Sequence, residues 1–130
     1  MDPIESINTT KDSSFAMLLA AQKRGWSLYY MQQSDIYMLG ANAMARAQRI
    51  KVTDNHENWY SSQPVEDIEL ASLDAILMRK DPPFDIEYIT STYILEMAER
   101  AGSLVVNRPA SLRDANEKMF ITNFPQCCTP

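Results

Sequence analysis

Three charged side chains follow a short apolar run in ILMRKDPPFD, residues 76–85 of the chain. Arg79, Lys80 and Asp81 come first, and two prolines then fix the backbone of the loop. A guanidinium binds a carboxylate and a carboxylate binds an amine, so this mixture suits a zwitterionic or anionic ligand. The alternative is that Arg79 and Asp81 form a surface ion pair where a strand ends. The spacing by itself leaves both interpretations open.

The elements around these charges alternate between strand and helix. The run AILMRK (75–80) predicts a buried parallel strand, an apolar stripe over 84–102 predicts a helix, and LVVNR (104–108) predicts a second strand. Short joins between them indicate right-handed βαβ units. In a parallel sheet, ligands bind beyond the carboxyl ends of the strands, which is where Arg79 lies.

The N-terminal half also contains recognisable segments. Asp12 is a good helix N-cap, and Gly25 can adopt the left-handed conformation after the helix. The predicted elements are a helix over 12–24, a strand over 27–31, an edge hairpin strand over 44–52 with its turn near 40–42, and a loop over 55–67.

The predicted fold class is α/β, with a Rossmann-like, open, mainly parallel sheet flanked by helices. A last helix is expected from Ser111, with Asp114 completing a capping box. The first helix should follow a strand, yet residues 1–10 contain no run of strand formers. Either the sheet starts at residue 27, or its central first strand lies upstream of Met1.

Length and charge limit the function classes. A chain of 130 residues fits one domain. Its net charge of -5 argues against nucleic acid or an anionic membrane as partner, since both require a basic face. No apolar run approaches the ~20 residues needed to span a bilayer. The only cysteines, Cys127 and Cys128, are adjacent and cannot staple a fold, which predicts a reducing, cytoplasmic setting.

Several blocks of the chain resemble the N-terminal domain of prokaryotic glutathione synthetase, a family of ATP-grasp ligases. The blocks are MDPI (1–4), KDSSFAMLLAAQKRGW (11–26), ILMRKDPPFD (76–85) and TYILEMAERAGSLVVNRPASLRDANEKMF (92–120). The motifs RKDPPFD and NRPASLRDANEK are specific as a pair. The resemblance implies a pre-ATP-grasp domain over residues 1–117, and the start of a truncated ATP-grasp region over 118–130.

The resemblance also implies a reaction. The family joins γ-glutamylcysteine and glycine to form glutathione, using ATP and Mg²⁺ to activate a carboxylate as an acyl phosphate. It tends to assemble as homo-oligomers. The phosphate loop and the magnesium carboxylates belong to the ATP-grasp body, so the 130-residue chain alone is expected to be inactive and to hold no catalytic residue.

Five residues of this chain match functional positions of the family. Lys118 matches the lysine that reaches the ATP phosphates, whereas its spacing from an aspartate four residues earlier would alone predict a solvated salt bridge. Asp2, Arg79, Lys80 and Asp81 match loops that form the substrate-cleft wall. A second hypothesis is a stand-alone, non-catalytic α/β module that binds a small metabolite or another subunit.

Overall fold

The computed structural model describes residues 1–80, 83–115 and 119–128. Its helices and strands are α1 (Ser13–Lys23), β1 (Leu28–Tyr30), β2 (Ile36–Leu39), β3 (Asn42–Val52), β4 (Tyr60–Glu69), β5 (Ala75–Leu77), α2 (Ile86–Arg100), β6 (Leu104–Val106) and α3 (Pro109–Asp114). Short 3₁₀ turns join several of them. Within the described part of the chain, no helix is long and apolar enough to cross a bilayer.

The C-terminal half confirms the predicted strand–helix–strand unit. Strands β5 and β6 pair in parallel, with Ile76 opposite Val105, and α2 connects them. The Asp85 carboxylate caps α2 by accepting the Tyr88 N–H at 2.8 Å, and Gly102 takes a φ of 118° just after the helix. Apolar side chains from α2 and from both strands form one buried cluster.

The N-terminal half shows that the prediction of a mainly parallel sheet is wrong there. Strands β1 to β4 form an antiparallel sheet in which β1 and β2 pair along one side of β3 and β4 pairs along the other. The strand over 44–52 was predicted to lie at the edge of the sheet, and this is wrong because β3 is central. The hairpin turn was predicted correctly at Gly40, where φ is 60°. In the described residues, parallel pairing is confined to β5 and β6.

Strand β4 overlaps residues 55–67, which the sequence predicted to be a loop. Nearly all of its residues are exposed, and among the described residues the strand pairs only with β3. An edge strand without a covered face needs no alternation of apolar residues, so its polar sequence is compatible with pairing. Pro64 falls where the β3–β4 register shifts, and edge strands and bulges are where a sheet tolerates proline.

The two remaining helices test the capping predictions. In α1, the Asp12 carboxylate accepts the Phe15 N–H at 2.9 Å, and Gly25 has a φ of 78°, as expected. The capping box predicted at Ser111 is wrong, since α3 begins two residues earlier with Pro109 at its first position. Proline suits that position because its fixed φ is helical and its missing N–H would have had no partner.

Strands β1 and β5 each pair with a single neighbour among the described residues. Residues of both strands line one groove of about 240 Å³, together with apolar side chains of α1 such as Met17 and Leu18. A central strand upstream of Met1, one of the two alternatives from the sequence, would fit this groove between β1 and β5. That strand stays a prediction.

Candidate functional site

The end of β5 carries Arg79 and Lys80 to one edge of the parallel sheet. The Met78 N–H donates to the Val106 carbonyl at 2.7 Å, so the pairing continues to the residue just before Arg79. The charged side chains therefore leave the sheet at the carboxyl end of β5, as predicted. From there they reach back to the N-terminal segment and the start of α1.

Arg79 is held by two hydroxyl groups at the start of α1. Its Nε donates to Ser14 Oγ at 3.1 Å, and its Nη2 donates to Ser13 Oγ at 2.6 Å. Within the ranges that the structure describes, no carboxylate forms an ion pair with Arg79. The guanidinium is thus fixed in direction by neutral oxygens.

Lys80 is held in a different way, because its Nζ lies 2.8 Å from Asp2 Oδ1. The backbone after Asp2 is itself anchored at Ile4, whose N–H donates to the Tyr30 hydroxyl at 3.2 Å and whose carbonyl accepts the Trp59 Nε1–H at 2.9 Å. Burial raises the pKa of Tyr30, so the phenol stays protonated. Two aromatic side chains of the sheet region therefore fix the loop that presents Asp2.

Two cavities adjoin these residues. A cavity of about 190 Å³ is lined by Asp2, Arg79 and the two serines of α1. A larger one of about 500 Å³ is lined by Asp2 and Lys80 on one side and by the first turns of α2 on the other. Asp2 lines both cavities, so the structure brings Asp2, Arg79 and Lys80 to one continuous edge.

A second charged cluster joins α3 to α2. Arg113 Nη2 forms an ion pair with Glu96, its Nη1 donates to Thr92 Oγ1 at 3.1 Å, and its guanidinium carbon lies 4.1 Å from the centre of the Tyr93 ring. Arg100 contacts the other Glu96 oxygen at 2.6 Å. The hydrogen bond from Arg113, followed by that from Arg100, lowers the pKa of Glu96.

Comparison with known proteins gives the family. Residues 1–113 match the family model described as prokaryotic glutathione synthetase, N-terminal domain. The chain belongs to this family.

The relatives of this N-terminal domain are longer proteins. The chain is 61% identical over 130 residues to a glutathione synthetase of Pseudomonas putida, covering 100% of the chain and 41% of that protein. It is 58% identical over 126 residues to one of Yersinia pestis, covering 97% of the chain and 40% of the relative. A Pseudomonas aeruginosa relative is 58% identical over 130 residues, with coverages of 100% and 41%. The chain spans about two fifths of these relatives.

Two of the five predicted site residues are not among those that the structure describes. Asp81 and Lys118 lie outside the described residues, so neither the Arg79–Asp81 ion pair nor the phosphate role of Lys118 is tested. The domain boundary between residues 117 and 118 also stays a prediction. Over the described ranges, no group of three or more His, Cys, Asp or Glu side chains is placed to hold a metal ion.

Sequence reasoning missed the partners that fix the two arginines. Ser13 and Ser14 are 66 and 65 positions from Arg79, and their only local signal is two adjacent hydroxyls after the Asp12 cap. The Arg113–Glu96 pair, 17 positions apart, joins two helices and leaves no periodic pattern.

Proposed function

We propose that this chain is the substrate-side domain of a full-length glutathione synthetase, which joins γ-glutamylcysteine to glycine at the expense of ATP. The observation that carries the proposal is the family match over residues 1–113. The high identity to proteins named glutathione synthetase supports it. The placement of Asp2, Arg79 and Lys80 along one edge adds a physical reason, since a peptide with carboxylates and an amine requires charges of both signs.

In the proposed reaction, a carboxylate is activated as an acyl phosphate and the amine of glycine then attacks it. Such a reaction depends on holding the reactants in line and on neutralising the phosphate charge. Arg79 would bind a carboxylate of the peptide substrate. Lys80 and Asp2, paired at 2.8 Å, together with Asp81 would complete the wall of the cleft.

ATP and Mg²⁺ are proposed to bind mainly outside this chain. Lys118 would contact the nucleotide phosphates, while the described residues offer no cluster of carboxylates for the metal. We accordingly propose that the isolated 130-residue chain is inactive. The proposed setting is the cytoplasm, since both cysteines are free, and the proposed assembly is a homo-oligomer.

The finer fold is proposed to be the Rossmann-like pre-ATP-grasp arrangement, completed by a central strand between β1 and β5. The groove of about 240 Å³ supports this, since residues of both strands line it. An inserted strand would pair the edges of β1 and β5 that have no partner in the described chain.

Phosphate release by the purified full-length protein tests the proposed function. Release should require ATP, γ-glutamylcysteine and glycine together, and the isolated chain should stay at background. Lys118→Ala should raise the KM for ATP or lower kcat by about 10-fold or more, as expected on losing a phosphate contact. Lys23→Ala, on the exposed last turn of α1, is the matched control and should behave as the wild type.

Full-length protein without glutathione-forming activity would refute the proposal and favour a non-catalytic binding module. Unchanged kinetics for Lys118→Ala would instead remove only the phosphate role and return Lys118 to a solvated salt bridge.

A further inference from the structure

We propose that Ser13 and Ser14 are positioning residues that aim Arg79 at the glutamyl α-carboxylate of γ-glutamylcysteine. The inference rests on the proposed function and deepens it. It starts from the hydrogen bonds of Arg79, whose Nε and Nη2 donate to Ser14 Oγ at 3.1 Å and to Ser13 Oγ at 2.6 Å.

The two serines engage one side of the guanidinium. A guanidinium has five N–H donors in a planar fork, and Nε and one Nη2 hydrogen form its side edge. In the described structure both of these donors are taken by the serines, and Nη1 makes no hydrogen bond. The outer edge, formed by Nη1 and the second Nη2 hydrogen, has the spacing that binds a carboxylate through two parallel hydrogen bonds.

Hydroxyl partners leave the charge of Arg79 available. A carboxylate at the side edge would neutralise the guanidinium and weaken its attraction for a second carboxylate, whereas a hydroxyl oxygen carries no net charge. Lys80 shows the contrast in the adjacent residue, since Asp2 lies 2.8 Å from its ammonium group. Arg79 is therefore the better suited of the two cations to bind an anionic group.

The serines stand on a rigid element. Phe15, 2% exposed, anchors the first turn of α1 in the core, and the Gln22 side chain forms two hydrogen bonds with the Val52 backbone, at 2.6 and 2.8 Å. The Asp12 carboxylate already caps the helix. The serine hydroxyls are thus not needed as caps, and the helix holds them in place before any ligand arrives, which lowers the ordering cost of binding.

The choice between the two carboxylates of the substrate follows from the chemistry. The cysteinyl carboxylate must attack ATP through one of its oxygens, and an arginine holding both oxygens would reduce that nucleophilicity. The glutamyl α-carboxylate keeps its charge throughout the reaction and does not attack ATP. A bidentate pair of hydrogen bonds to it therefore leaves the reactivity of the substrate unchanged. Arg79 and the two serines also line the same small cavity as Asp2, a suitable setting for an amino-acid head group.

Steady-state kinetics of the full-length protein test the inference. In Ser13→Ala/Ser14→Ala, the KM for γ-glutamylcysteine should rise about 10-fold, because Arg79 loses both orienting hydrogen bonds. The kcat and the KM for ATP should change little, whereas a general structural defect would alter all three. The matched control, Ser13→Thr/Ser14→Thr, retains both hydroxyls and should restore the KM.

A substrate analogue identifies the carboxylate. For 4-aminobutanoylcysteine, which lacks the glutamyl α-carboxylate, the wild type and the double alanine variant should have the same KM. If the double variant folds poorly, the single Ser13→Ala variant should show the same trend with a smaller change.

The outcomes separate the inference from the proposed function. A wild-type enzyme that makes glutathione, combined with an unchanged KM in the alanine variants, would overturn the positioning role alone. If the double alanine variant raised the KM for 4-aminobutanoylcysteine as much as the KM for γ-glutamylcysteine, the choice of the glutamyl α-carboxylate would be overturned. A full-length wild type that forms no glutathione would overturn the proposed function itself.

Discussion

Arg79 and Arg113 are both held by several partners, yet the partners differ in charge. Arg113 forms an ion pair with Glu96, which Arg100 also contacts, and lies over the Tyr93 ring, so its charge is partly compensated and its face is covered. Arg79 forms hydrogen bonds only with two serine hydroxyls within the described chain. The difference supports the two proposed roles, because the ion-paired arginine links two helices, whereas the arginine held by neutral oxygens keeps its charge available for a ligand.

The surroundings of the two side chains agree with this division. Arg113 lies between α2 and α3, and its side chain is only 16% exposed. Arg79 lines the cavity of about 190 Å³ at the start of α1. A ligand can therefore approach Arg79, whereas the contacts of Arg113 already occupy the space around its guanidinium.

The largest expected effect comes from removing Arg79, which no carboxylate of the described residues neutralises. In the full-length protein, Arg79→Ala should raise the KM for γ-glutamylcysteine by about 10- to 100-fold, the loss expected for hydrogen bonds between charged groups. Arg79→Lys should recover only part of it, since an ammonium cannot form the fork. Arg24→Ala, exposed at the end of α1, serves as control. A peptide KM unchanged in Arg79→Ala would show that this charge does not bind the substrate.

A smaller effect, on stability rather than on substrate, is expected for Arg113. Arg113→Ala should lower the free energy of unfolding by about 1–3 kcal/mol through loss of the Thr92 hydrogen bond and the contact with the Tyr93 ring. Urea unfolding of the 130-residue chain measures this. Arg100→Ala, which retains the Arg113 contacts, should lower the free energy of unfolding by a smaller amount.

The same variant should alter the acid dependence of stability. Arg113 lowers the pKa of Glu96 in the folded state below its ordinary value of 4.5. A depressed carboxyl pKa stabilises the fold above the unfolded-state pKa, and this contribution is lost as the pH falls through the folded-state pKa. Arg113→Ala should therefore lose less stability on acidification below about pH 5 than the wild type does. Equal losses of stability in the wild type and in Arg113→Ala would contradict the conclusion that Arg113 lowers the pKa of Glu96.

The sequence predicted the C-terminal half of the fold better than the N-terminal half, for a physical reason. The apolar runs at β5 and β6 and the apolar stripe of α2 are local patterns, and the structure confirms the two parallel strands and the helix. The predicted burial is only partly right, since each strand buries its middle residue alone and Ile86 and Tyr93 of the stripe are exposed. Strand β4 carries no such pattern, because its pairing is satisfied by backbone hydrogen bonds on an exposed edge. Local sequence patterns thus located the elements that contribute to the core and missed the exposed strand β4.

For the site, the sequence likewise located the two cations but not the residues that hold them. The motif at the end of β5 located Arg79 and Lys80 correctly at the sheet edge, because a strand end is fixed by local sequence. Their partners come from the distant N-terminal segment and from α1, and side-chain contacts between distant segments leave no local signal. The resemblance to a family supplied the positions of Asp2, Asp81 and Lys118, whose roles the geometry of the described residues does not test.

Calorimetric titration of γ-glutamylcysteine into the full-length protein, without ATP, tests most directly whether Arg79 binds the substrate. The wild type, Arg79→Ala and Arg113→Ala would be compared at one pH and one salt concentration. Arg79→Ala should raise the Kd by about 10-fold or more, and Arg113→Ala should bind as the wild type does. Equal weakening in both variants, or an unchanged Kd in Arg79→Ala, would contradict the division between a binding arginine and a structural one.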